Sequence, residues 1–172
     1  VLIVDQPEQT FTFTGVKEPP IPSLLRGFSA PVRLQYDYNR EDLCRLMSGD
    51  DDGFVRWDAG QQLAVQVIEQ VQQQLTAGEE AQVDPLLVEA VASLLADESL
   101  DPAMVADMVT LPGENYLAEL ASHAGQADVD GIHAARNAVR RALAQSLLPM
   151  WQAAYDRLAS DEPYRADGDD LL

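Results

Sequence analysis

The chain has 172 residues, with 29 acidic against 11 basic side chains and a formal net charge of −18 at pH 7. A field of that sign repels phosphate backbones and anionic lipid, which excludes nucleic acid as a natural partner. The single cysteine, Cys44, rules out an intramolecular disulfide, and no apolar run approaches the roughly 18–20 residues of a membrane span, which fits a cytoplasmic protein.

The first 36 residues read as strands. Val1 to Val4 is a short apolar run without initiator Met or basic leader, as expected for a cut inside a longer chain. Gln9 to Thr14 alternates strictly, with Phe11 and Phe13 on one face and threonines on the other, the period of a half-buried strand. Pro19, Pro20, Pro22 and Pro31 exclude a long helix between residues 18 and 31. Val32, Leu34 and Tyr36 alternate again, so about three strands of a partial β-sandwich are expected, with Phe11 and Phe13 covered by another surface. Residues 1–39 are nearly neutral, and almost all of the negative charge lies beyond them.

Helices follow. Asn39 caps a helix through Leu43, Cys44, Leu46 and Met47 that ends at Gly49. Asp50-Asp51-Asp52 precedes a long helix over about Gly53–Leu75, whose apolar positions (Phe54, Trp57, Ala64, Val67, Ile68, Val71, Leu75) recur near a period of 3.6. Asp84-Pro85 and Asp101-Pro102 each place a capping carboxylate before a proline suited to the first helical position. A short helix runs from about Gly113 to Ser122. A last one runs from Asp128 to about Ala159, burying Val129, Ile132, Val139, Leu143, Leu147, Met150 and Leu158. Pro149 lacks an N–H and clashes with the carbonyl of Gln145, which predicts a kink between those residues. Asp161–Asp170 reads as a fraying acidic tail or the start of a linker. The whole is mainly α: an antiparallel helical array after a partial β-sandwich. HEAT-like superhelical packing fits such an array, although no fixed period accompanies it.

The residues that carry chemistry form no recognisable constellation. His123 and His133 are ten apart and far from Cys44, at no zinc-ligand spacing. Asp50-Asp51-Asp52-Gly53 lacks the alternation of a calcium loop and reads as helix capping. Cys44 lies among Leu43, Leu46 and Met47, as a small buried hydrophobe does. No pair stands out among the 29 acids for glycosidase work. Arg136, Arg140 and Arg141 form a basic cluster expected to pair with neighbouring carboxylates, the alternative being a substrate carboxylate. Arg26, between Leu25 and Gly27, is expected to fix the angle between the β and helical parts. No catalytic, cofactor-binding or metal-binding residue is expected.

Three segments carry a family resemblance: Pro20-Ile21-Pro22-Ser23-Leu24-Leu25-Arg26-Gly27-Phe28-Ser29-Ala30-Pro31-Val32-Arg33-Leu34; Phe54-Val55-Arg56-Trp57-Asp58-Ala59-Gly60-Gln61-Gln62-Leu63; and Leu94 to Ala103 continuing into Leu111 to Glu119. They resemble bacterial aminopeptidase N, a zinc metallopeptidase family. The resemblance implies that residues 1–36 end an immunoglobulin-like β-sandwich domain and that residues 37–172 begin the C-terminal α-helical domain. It implies a parent enzyme that removes N-terminal amino acids from peptides with zinc. In such a parent, this part encloses the active-site chamber and packs against the catalytic and sandwich domains. The family's H-E-x-x-H motif is absent here, so no catalytic residue carries over and this chain alone is not expected to be an enzyme. An independent acidic helical module that binds basic protein partners is the competing expectation. Exposed strand edges would also allow self-association.

Overall fold

The computed structural model describes residues 2–32 and 34–159. The acidic tail read at Asp161–Asp170 lies outside them. Seven α-helices are formed among the described residues: α1 (Arg40–Gly49), α2 (Gly53–Thr76), α3 (Pro85–Ala96), α4 (Pro102–Val109), α5 (Glu114–Ala124), α6 (Val129–Ser146) and α7 (Leu148–Leu158). A short 3₁₀ turn, Arg26–Phe28, precedes them.

The helices start where the side chains can satisfy the free N–H groups of a first turn. Asn39 Oδ1 accepts from the Asp42 amide at 2.8 Å, Asp52 Oδ1 from Val55 at 3.0 Å, and Asp84 Oδ1 from Leu86 at 3.0 Å. Asp101 and Asp128 cap α4 and α6 in the same way, accepting from Met104 and Gly131. The two Asp-Pro steps work as expected.

Helix α2 is the spine. It packs against α1 on one side and α6 on the other, and also touches α3 and α4. Leu63, Val67, Ile68 and Val71 on its inner stripe are almost wholly buried. Each such side chain contributes about 1.5–3 kcal/mol on leaving water. Leu43 and Met47 of α1, Leu87 and Leu94 of α3 and Val139 of α6 complete one continuous core. Gly60 permits the close approach of α1: a Cβ there would meet Met47 Sδ at 3.2 Å.

The long final helix is divided. The Leu147 backbone (φ −112°, ψ 16°) leaves the helical region between α6 and α7, inside the expected Gln145–Pro149 window. Pro149 falls in the first turn of α7, where its missing N–H costs nothing. Three expected core residues are exposed instead: Trp57 (38%), Val129 (58%) and Leu158 (51%). Val129 opens α6 next to its cap, and Leu158 closes α7, so neither reaches the inner layer.

Among the described residues the expected strands are not formed. Residues 2–25 contain no strand, and Val32, Leu34 and Tyr36 lie outside any strand or ladder. Phe13 is 67% exposed, Val4 71% and Ile3 72%. The alternation of Gln9–Thr14 has the period of a strand, but a strand requires a neighbouring edge for its backbone groups, and none is supplied among the described residues.

Candidate functional site

The junction between the extended segment and the helices holds the most organised polar geometry. After Gly49 ends α1, Asp50 turns inward and its side chain is only 7% exposed. Its Oδ1 accepts from the Asp52 amide at 2.8 Å and from Arg26 Nη1 at 3.0 Å. Arg26 also donates to Ser23 Oγ at 3.0 Å and, through Nη2, to Asp51. The bond to Arg26 holds the Asp51 carboxyl below its usual range, and the same bond raises the guanidinium. Tyr38 closes the arrangement by donating its hydroxyl to the Pro22 carbonyl at 2.6 Å. Burial pushes that phenol up to about 12.

Beside this junction a groove of about 700 Å³ opens along α2. One wall is the extended segment, through Leu25, Phe28, Val32 and Leu34; the other is Phe54, Trp57 and Val65. The Phe28 and Phe54 rings lie 5.0 Å apart, and Phe54 and Trp57 lie 6.1 Å apart. Asp58 lines the groove, where burial raises its carboxyl despite a bond from Gln62 Nε2 at 2.7 Å. Phe54 and Trp57 thus face the groove, and the adjacent Val55 and Arg56 face the core. A second apolar groove of about 920 Å³ lies between α3, α4 and α7, bounded by Leu94, Val105, Trp151 and Tyr155.

Two arginines that the sequence reading passed over hold the array together. Arg56, 7% exposed, donates from Nε to the Met47 carbonyl at 2.9 Å and from Nη2 to Ser48 at 3.1 Å. It satisfies the carbonyls at the end of α1, which no helical N–H reaches. Arg40 reaches Asp84 at 2.6 Å, the Gln66 carbonyl at 2.9 Å and Gln70, joining α1 to α2 and to the cap of α3. Burial alone would raise the Asp84 carboxyl, but the bonds from Arg40 and the Leu86 amide outweigh it, and its net shift is downward.

The residues weighed for chemistry are dispersed. Cys44 is half-buried, close to the Leu86 carbonyl, and burial raises its thiol. His133 contacts Glu114 at 2.9 Å and Asn137 at 2.8 Å, both through exposed atoms. His123 sits exposed in the last turn of α5. Among the described residues, Arg136, Arg140 and Arg141 form no ion pair with a carboxylate, contrary to the expectation. Arg136 donates to the Pro112 and Leu111 carbonyls, and Arg141 to the Asn137 carbonyl. These carbonyls lie nearest, at the α4–α5 connection and one turn back along α6. Among the described residues no three His, Cys, Asp or Glu side chains converge as metal ligands, so zinc has no fitting donor set on them. No described helix is long and apolar enough to cross a membrane.

Comparison with known proteins adds what the geometry cannot. Residues 40–171 match the family model described as "Domain of unknown function (DUF3458_C) ARM repeats". The chain belongs to that family. Residues 1–37 match a second model, "Domain of unknown function (DUF3458) Ig-like fold". The chain is 36% identical over 99% of its length to Aminopeptidase N of Escherichia coli, and 37% identical over 86% to that of Haemophilus influenzae. It is 33% identical over 97% to Aminopeptidase N of Caulobacter vibrioides. It spans only 17–19% of these relatives. Among solved structures, Legionella pneumophila aminopeptidase A in complex with aspartic acid is similar at a TM-score of 0.75 and 32% identity, covering 96% of this chain and 19% of that one. The resemblance to bacterial aminopeptidase N, carried by the junction and the two helical segments, is borne out.

Proposed function

We propose that this chain is a non-catalytic part of a zinc-dependent aminopeptidase that removes N-terminal amino acids from peptides. The observation that carries the proposal is similarity along nearly the whole chain to proteins of that name, of which it covers only about a fifth. Residues 1–36 would end an immunoglobulin-like sandwich and residues 37–172 would begin the helical domain. The match of residues 1–37 to an Ig-like model supports strands there once the neighbouring strands are present. Zinc, its general base and the peptide-binding groups would belong to other segments of the cytoplasmic parent enzyme.

The role we assign to this part is to support domain packing and to wall the active-site chamber. Its two apolar grooves favour that role. Leu148 (62% exposed) and Tyr155 (69% exposed) border one of them, and contiguous apolar surface of this kind marks a contact face. The test uses the full-length enzyme carrying Trp57→Ser or Tyr155→Ser. A chamber wall predicts altered discrimination between short and long peptides while turnover of a single-residue anilide is kept. Equal loss on every substrate, with folding intact, would count against it.

A further inference from the structure

The turn at Leu25–Phe28 has a backbone that its residues do not favour. Leu25 has φ +53°, Gly27 +62° and Phe28 +49°. Glycine adopts such angles freely, but in leucine and phenylalanine the Cβ crowds the following carbonyl. Left-handed residues of this kind persist only where the surroundings over-determine them. Four anchors do so here. Upstream, Tyr38 holds the Pro22 carbonyl, and Ile21 and Leu24 pack against the core. Downstream, Phe28 lies on Phe54. Between them, Arg26 reaches both Asp50 and Asp51 across the corner between α1 and α2.

The ion pairs differ from the two apolar anchors. Asp50, Asp51 and Asp52 are consecutive carboxylates, and Asp52 caps α2. Arg26 bonds two of the three, offsetting their mutual repulsion. Arg26 is itself half-exposed and Asp51 is 86% exposed, so salt can compete for the pair.

We propose that Leu25–Phe28 is a strained turn latched by Arg26 onto Asp50 and Asp51, and that releasing the latch lets Leu25 and Phe28 relax and withdraw the wall of the α2 groove. Leu25 and Phe28 line that groove on the side of the extended segment. Both residues have this left-handed backbone. The latch therefore makes the groove a surface with two states, and it sets the angle at which residues before Pro22 leave the helices. This device stands on the geometry of this chain alone and is independent of any peptidase role.

The sign of φ is directly measurable by NMR, because the one-bond Cα–Hα coupling distinguishes positive from negative φ. In the isotope-labelled chain at low salt, Leu25 and Phe28 are expected to show the positive-φ signature. Arg26→Ala should abolish it at both residues while the resonances of α3 and α6 stay in place. Asp51→Asn alters one exposed carboxylate and so keeps the test open if Arg26→Ala disturbs the corner more widely. It should weaken the signature at low salt and abolish it in about 1 M salt, where screening acts over only about 3 Å. Negative φ at Leu25 and Phe28 in the unaltered chain would overturn the strained turn. A positive signature surviving in both variants would overturn the latch and leave packing and the Tyr38 bond as the support.

Discussion

The extended segment before Tyr38 and the helical array after it obey different rules. Each helix closes most of its N–H and C=O groups within itself and needs its neighbours mainly to cover an apolar stripe. The residues before Tyr38 cannot close a repeating ladder among themselves and, without a neighbouring strand, leave most of their backbone groups to water. Leu43 is wholly buried, whereas Phe13 is 67% exposed, although both are large apolar residues set in regular patterns. A sequence pattern thus specifies a helix almost alone, but it specifies a strand only together with the edge that pairs with it.

The largest effect should separate the two regions most clearly. Leu63→Ala, at a site with no exposed surface, should lower stability by about 2–5 kcal/mol. Phe13→Ala in the same chain should stay within about 0.5 kcal/mol of the unaltered protein. Urea unfolding followed by far-ultraviolet circular dichroism measures both. A comparable loss from Phe13→Ala would mean that the segment already packs as a folded unit.

Next in size is Arg56. Arg56→Met keeps much of the stem but leaves the Met47 and Ser48 carbonyls without their donor. A cost of about 1–3 kcal/mol is expected from the unsatisfied groups. Thermal melting would show it, and a neutral result would mean that water replaces the guanidinium.

Charge supplies smaller and pH-dependent effects. The Asp84 carboxyl is lowered, so its contribution is fully present above the ordinary carboxylate range and is lost as pH falls through its folded value. Asp84→Asn should therefore lower the melting temperature at pH 7, by an amount that shrinks below about pH 4. The Asp58 carboxyl is raised by burial, which reverses the sign. Its protonated form favours the fold, and that contribution is lost as pH rises through the folded value. Asp58→Asn should then be neutral or mildly stabilising at pH 7, with the gain vanishing in acid. A destabilised Asp58→Asn at neutral pH would mean that the bond from Gln62 outweighs the cost of burying the carboxylate. The smallest effect is at a cap: Asp101→Ala should cost about 1 kcal/mol or less, since α4 is short and its cap is exposed.

The sequence revealed the helices well because their signals are local. Asn39, Asp52, Asp84, Asp101 and Asp128 each mark a start that the structure keeps, and Pro149 marks the break at Leu147. The first turn of α2 was misread for a physical reason. Phe54 and Trp57 fit an apolar stripe, but they serve the groove, and the core takes Val55, Ala59 and the stem of Arg56. Arg56 and Arg40 escaped notice because their partners are backbone carbonyls and residues up to 44 positions away, which no spacing rule records. Arg26 was legible as a structural residue from its apolar and proline-rich surroundings. Its partners Asp50 and Asp51 were visible only as a capping run.

The proposed role of this chain is that of a wall without chemistry of its own. The direct measurement is hydrolysis of alanyl- and arginyl-anilides by the purified 172-residue chain, with added zinc and with a chelator control. Peptide-bond cleavage by a zinc enzyme needs a metal-bound water, a base and stabilisation of the oxyanion. No release above the chelated control is expected from this chain, and chelator-sensitive release is expected from the full-length enzyme proposed to contain it. Turnover by the chain alone that survives purification and disappears with chelator would contradict that role.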